Sequence, residues 1–373
     1  MSDTTLTTLS GLTWDHPRGY GPLERLSRDG APVRWTRQPL HGFESEPIHD
    51  LARRHDLLVI DHPGLGAAVR HSALRPVDSL LDADELMAIR AAGVGASYDS
   101  YSLDGTQWAL PIDAAAQVSV IRPDRFSGPP PATWAEVAQT VRTTPTALCL
   151  GGPHAFLMFS AICVAAGEEP GRTPDGYVSR DIGRAVFELM AELAGHSDRG
   201  LAGADPIGVL AAMEGDDGPA YCPLVYGYVN YQGTLRAGSA PAWTPDGRPG
   251  SVLGGTGVAV SAYCARPDLA ARELRRLVSP RVQREVFPAS GGQPAALAAW
   301  TDPGVNAAAH GFYREIASTV AAAWVRPRFD GFIGFQATAS RLLREALLDG
   351  SPPDRTLDGI DERFRAAREG ASR

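Results

Sequence analysis

The sequence predicts an α/β protein of two domains, on three observations. Short apolar runs alternate with amphipathic stretches from residue 11 onward, in the β-α-β-α-β order that builds a parallel sheet with right-handed crossovers. Two of those runs end in the same tripeptide, Asp15-His16-Pro17 and Asp61-His62-Pro63. The chain has 373 residues, more than one simple core fills.

The first strand is Gly11-Leu12-Thr13-Trp14, and an amphipathic helix is expected over residues 20–30. Val33 to Arg37 alternates as a strand, residues 48–55 form a helix, and Asp56 to Ile60 reads as a buried parallel strand. Proline ends each Asp-His-Pro strand, because it has no N–H for the ladder and restricts the residue before it. Residues 77–92 are expected as one helix with Leu80, Leu81, Leu86 and Ile89 on a stripe. Asp104-Gly105 marks a hairpin turn, residues 117–122 a strand, and Thr133 caps a helix from Trp134. Ala147 to Leu150 reads as another strand, followed by a long apolar helix over 155–166 and a further one over 182–194. Residues 220–231 form an aromatic strand or loop. Gly254-Gly255-Thr256-Gly257 leads into the strand Val258 to Ser261, and helices are expected over 268–278, 280–286, 306–323, 335–348 and 358–370.

Composition narrows the function. The net charge of −8 argues against nucleic acid and against an anionic membrane surface. All 35 residues counted under Lys+Arg are arginine, which excludes Schiff-base chemistry, a P-loop lysine and a lysine general base. No apolar run of about 18 residues predicts a membrane span. Residues 1–10 are polar, with neither a basic start nor an apolar stretch. Cys149, Cys163, Cys222 and Cys264 form no C-x-x-C pair. Together these features predict a reduced, cytoplasmic setting. No nucleophile elbow exists, no His spacing suits a metal, and no cofactor is expected. The glycines at 254–257 precede a strand rather than a helix, outside the context of a dinucleotide or phosphate loop.

Several later segments resemble, in order and spacing, the carbohydrate-type extracellular solute-binding proteins of ABC transporters. They are the Asp104-Gly105 hairpin with Trp108-Ala109-Leu110-Pro111-Ile112-Asp113, and the helix start Pro131, Thr133, Trp134 and Glu136. Gly254 to Gly257, Ser279-Pro280 with Gln283, Gly291-Gly292-Gln293-Pro294 and Arg326-Pro327-Arg328 complete the series. The resemblance implies a two-lobed periplasmic-binding-protein-like fold of type II, with a ligand cleft between lobes that close by hinge motion. It implies one lobe from residues 1–113 and 262–312 and a second from 114–261 and 313–373. An ABC permease is an expected partner only of an exported form.

In an open α/β sheet, ligands sit beyond the carboxyl ends of the strands. On that architecture the residues expected at the cleft are Trp14, Asp15, His16, Arg18, Phe43, Glu44, Asp61, His62, Asp113, His154, Tyr226, Tyr228, Asn230, Thr256 and Arg326. Aromatic faces suit the C–H patches of a sugar, and carboxylate, amide and guanidinium groups suit its hydroxyls. Tyr226, Tyr228 and Asn230 share one face by period two. The helix start at Gly151 to His154 is a natural anion site, and Arg326 suits a carboxylate or phosphate. The bland reading of each Asp-His-Pro corner is an Asp that caps a turn and a His that bonds backbone. The leading expectation is a small polar, sugar-like or carboxylated ligand. The alternatives are a cofactor-independent lyase or isomerase using His16, His62, Asp61 and Glu44 as acid and base, and a transporter subunit whose leader is missing.

Overall fold

Three parallel strands set the frame of the structure, a computed structural model that describes residues 8–40, 43 and 46–371. They are β1 (Leu9–Trp14), β2 (Val33–Gln38) and β3 (Leu57–Ile60), with β1 in the middle. Helix Pro17–Arg28 connects β1 to β2 and starts on the proline of the first Asp-His-Pro, earlier than its apolar pattern alone suggests. A proline at the first helical position costs no hydrogen bond and presets φ, so the tripeptide both stops the strand and starts the helix.

The next strands are β4 (Leu74–Arg75), β5 (Ser102–Leu103) and β6 (Thr106–Gln107). The last two form the expected hairpin, with Asp104 and Gly105 both at positive φ, as the tight turn requires. The expected helix over 77–92 is divided. Val77–Ser79 is a single 3₁₀ turn, and Asp82 then opens Ala83–Ala92 with a capping box to Glu85. No residue of that helix is fully buried, yet Leu86 and Ile89 pack half-buried against the main core beside Leu80 and Leu81, so the expected stripe is its core-facing side.

One long strand, β7 (Ala109–Ile121), is buried at all 13 positions and absorbs the proline-containing Leu110-Pro111-Ile112-Asp113 segment. It pairs with β8 (Tyr221–Tyr226), β9 (Arg236–Gly238) and β10 (Leu253–Ser261), all antiparallel. β10 also lies antiparallel to β3, giving the order β2-β1-β3-β10-β7-β8. The β10–β7 register slips between Thr256 and Gly257, where Ile112 is the extra residue. The glycines expected to precede a strand lie inside it, at this bulge. Gly255 has φ +101°, and a β-carbon there would lie 2.3 Å from the Asp113 carbonyl oxygen, so only glycine fits.

The molecule has two lobes. On one side of the bulge β7 and β10 belong with β1–β3, and Leu58, Ile60, Leu65 and Leu74 form a separate core on one face of that part. On the other side, helices His154–Ala165, Arg180–His196, Phe332–Asp349 and Pro353–Ala371 build a second core around Phe156, Phe159, Tyr177, Phe335 and Phe364. Helix His154–Ala165 is buried along its whole length. Ala147 to Leu150 is buried too, but only Thr146 makes a bridge to Tyr221, so the expected strand is an extended core segment without a ladder. The sequence reading missed helix Pro206–Glu214, whose Asp205 cap and Pro206 start are present in the sequence. Among the described residues no helix is long and apolar enough to cross a membrane.

Candidate functional site

A cavity of about 360 Å³ opens where the two lobes meet, at the carboxyl ends of β1, β2 and β3. Trp14 and Gln38, register partners at the ends of β1 and β2, line one wall beside Asp61. His154 and Tyr226 face them from the second lobe. Gly254, Gly255 and Thr256 of β10 line it where the strands cross, and Arg326 with the turn at Asp330–Gly334 closes the far side.

The first Asp-His-Pro corner supports the wall from behind. His16 caps the helix, its Nδ1 accepting from the Arg18 backbone N–H at 3.1 Å. Its ring stacks on Trp14 at 5.3 Å and 9° and meets Tyr228 edge-on at 5.0 Å. Burial lowers its pKa to about 4, assisted by the Arg18 charge and opposed by Asp15, so the ring is neutral near pH 7. Arg18 donates from Nε and Nη2 to the two Asp113 oxygens at 2.9 and 2.5 Å, and from Nη1 to the Gly227 carbonyl at 3.4 Å. Its guanidinium also lies 4.7 Å from the centre of the Tyr228 ring.

At the second corner, Asp61 caps a 3₁₀ turn through the His62 N–H and accepts from Arg326 Nη2 at 2.7 Å. Burial alone would raise its pKa, but the Arg326 charge and the neighbouring His62 hold it well below the usual carboxylate range. His62 turns inward, 1% exposed, with Nδ1 3.2 Å from Asp61 Oδ1 and its ring edge-on to Tyr101. Burial lowers its pKa to about 4, with Arg326 adding to the effect and Asp61 opposing it. His154 begins the buried helix edge-on to Tyr226, and burial with the Arg326 charge lowers it to about 3.

Of the residues expected at the cleft, Trp14, Arg18, Phe43, Asp61, His154, Tyr226, Tyr228, Thr256 and Arg326 line the cavity. The others are placed elsewhere for identifiable reasons. Asp15 points outward, half exposed, toward Arg37 at 3.4 Å. His16 and His62 take the capping and packing roles of the bland reading. Asp113 is sealed behind Arg18. Asn230 leaves the face shared by Tyr226 and Tyr228 because β8 ends at Tyr226 and a 3₁₀ turn follows, so its amide donates to the Gly291 carbonyl. Glu44 lies outside the described residues. The expected anion site at the helix start is partly spent, since Ser340 Oγ accepts from the Phe156 N–H and donates to the Gly152 carbonyl.

Sequence reasoning missed Gln38, Glu46, His49, His71 and Gln336. Gln38 carried a usable signal, as a polar residue ending a strand beside Trp14. His49 and His71 did not, because they meet ring to ring at 4.1 Å from separate helices. Among the described residues no three of His, Cys, Asp or Glu gather as a metal set.

Two lobes, antiparallel strands passing between them and a cavity at their boundary define a solute-binding fold. Comparison with solved structures makes this specific: the chain has the carbohydrate solute-binding fold of ABC transporter sugar-binding proteins. A solute-binding protein of Agrobacterium radiobacter in complex with ribitol superposes with a TM-score of 0.81 at 18% identity, covering 96% of this chain and 98% of the other. Maltose-bound MalE3 of T. maritima gives 0.77 at 16% identity, over 96% and 99%. A solute-binding protein of Thermotoga lettingae bound with α-D-tagatose gives 0.79 at 15%, over 97% and 99%. No family model matches the sequence, and no curated protein matches it.

Proposed function

We propose that this protein binds a neutral, polyhydroxylated small molecule of monosaccharide or alditol size between its lobes. The observation that carries this reading is charge pairing. Among the described residues lining the cavity, each arginine already holds a carboxylate: Arg18 holds Asp113 and Arg326 holds Asp61. Glu46 and Asp330 face Arg54 and Arg70 in turn. A carboxylated ligand would have to displace a buried partner to reach a guanidinium, at the cost of leaving that partner unpaired. A neutral polyol needs only hydrogen bonds and aromatic surface, which Gln38, Thr256, Trp14, Tyr226 and Tyr228 offer. The cavity lies near the lower end of the range for small-molecule sites, about 300–1,000 Å³. The ribitol, tagatose and maltose held by the structural neighbours are of this chemical kind.

The proposed lobes, residues 1–113 with 262–312 and 114–261 with 313–373, would hinge near the β7–β10 bulge, and a permease partner belongs to an exported form only. Of the residues nominated for the acid–base alternative, Glu44 lies outside the described residues and the other three are occupied or set aside. His16 and His62 stand off the cavity, and Asp61 is engaged by Arg326. Titration calorimetry with ribitol, D-tagatose and maltose against gluconate and galacturonate tests the reading. At least one neutral compound should bind near the micromolar level, about −8 kcal/mol. Tighter binding of either sugar acid would overturn the assignment of ligand charge.

A further inference from the structure

Helix Phe332–Asp349 is anchored in the second core through Phe332, Phe335 and Leu343, yet the residues leading into it reach across to the other lobe. Arg326 donates to Asp61 at 2.7 Å. Arg328 Nη1 donates to the Asp99 and Ser100 carbonyls at 2.6 and 3.1 Å. Asp330 pairs with Arg70 at 3.4 Å. Between these contacts the two backbones touch. A β-carbon on Gly66, in helix Leu65–Arg70, would lie 2.1 Å from the Arg328 carbonyl oxygen and 2.4 Å from the Asp330 nitrogen.

We propose that segment 326–331 is a ligand-independent latch that holds the cleft closed in the unliganded protein. Each contact joins this chain to itself, so none waits for a ligand. They span the segment from the cavity wall at Arg326 to the surface at Asp330, with Gly66 allowing an approach that any larger residue would prevent. A binding protein closed mainly by its ligand gains closing energy only once the site is filled. Here part of that energy is present beforehand, which shifts the resting population toward the closed form. Ligand then enters through a minor open state, so association is slowed by the small fraction of molecules open at any moment. The latch guards the cavity of the proposed function, but closure is measured without any ligand, so the two readings fail separately.

Small-angle scattering of the full ligand-free chain tests the latch, with Gly66→Ala and the double variant Asp61→Asn/Arg326→Gln alongside. The parent should show a radius of gyration near the value for a compact chain of this length, about 21 Å. Millimolar ribitol, D-tagatose or maltose should not shrink it. Both variants should be measurably larger with unchanged far-UV circular dichroism. Gly66→Ala keeps the test decisive if the double variant misfolds, because alanine favours the helix and the three atoms nearest its β-carbon all belong to the latch. A parent that is expanded and contracts on adding sugar, or a Gly66→Ala protein with the parent's dimensions, overturns the proposal. If no sugar binds the parent while the variants still open, the ligand reading fails and the latch stands.

Discussion

Arg18 and Asp113 stand 95 residues apart and meet as a buried, two-pronged ion pair, each 4% exposed. The pair ties the start of the first helix to the strand that crosses between the lobes, and Tyr228 lies against the guanidinium.

Removing one member should be far costlier than removing both. Asp113→Ala leaves a buried cation without its carboxylate and should destabilise the protein by roughly 3–5 kcal/mol, read from urea unfolding. Arg18→Met/Asp113→Leu replaces the pair with apolar groups of similar size and should recover most of that loss. Equal damage from both variants would show that the charges themselves are needed.

Among the described residues four histidines have lowered pKa values, and the three most strongly shifted make a pH prediction. His16, His62 and His154 have folded-state pKa values of about 4, 4 and 3, below the ordinary 6.5. The unfolded chain therefore binds more protons between those limits. Their stabilising contribution is complete above pH 6.5 and is lost as pH falls toward 4. Each should cost about 1 kcal/mol between pH 6.5 and 5.5. Urea midpoints across that range should fall, and His62→Phe should flatten the slope by about one histidine's share.

Gly254 sits beneath the Tyr226 ring, where a β-carbon would lie 2.6 Å from Cε1. Gly254→Ala must displace the ring from the cavity wall. It should weaken binding of the neutral ligand by about tenfold, the loss of roughly one aromatic contact, while the melting temperature changes little. Calorimetry on the variant checks this, and an unchanged affinity would remove Tyr226 from the binding surface.

The four cysteines are free and buried, and burial raises the thiol pKa of Cys163, Cys222 and Cys264. A thiol reagent at pH 8 should label the folded protein slowly and all four groups after unfolding. Fast labelling in the folded state would place a thiol at the surface.

Much of the fold was legible in the sequence. The Asp-His-Pro corners marked two strand ends at the same end of the sheet, Asp104-Gly105 marked the hairpin, and Thr133 marked a helix cap that the structure completes as a capping box with Glu136. Local steric rules and short hydrogen bonds set these features, so neighbouring residues suffice to read them. The 147–150 segment misled because an apolar run records burial without saying what it hydrogen-bonds, and the helix expected over 77–92 is interrupted because Asp82 caps a new helix start.

Candidate site residues were legible as strand-end positions but not as directions. His16 and Arg18 begin the same helix, yet one props Trp14 from behind while the other reaches both Asp113 and the cavity.

The sequence by itself determined the alternation of strands and helices, the corners where strands stop, and the family pattern that placed a cleft between two lobes. Only the tertiary structure decided which charges remain available to a ligand. A buried charge requires an opposite partner, and here the partners arrive from 95 and 265 residues away. Asp113 thus claims Arg18 and Asp61 claims Arg326 through contacts that no local reading of the chain contains.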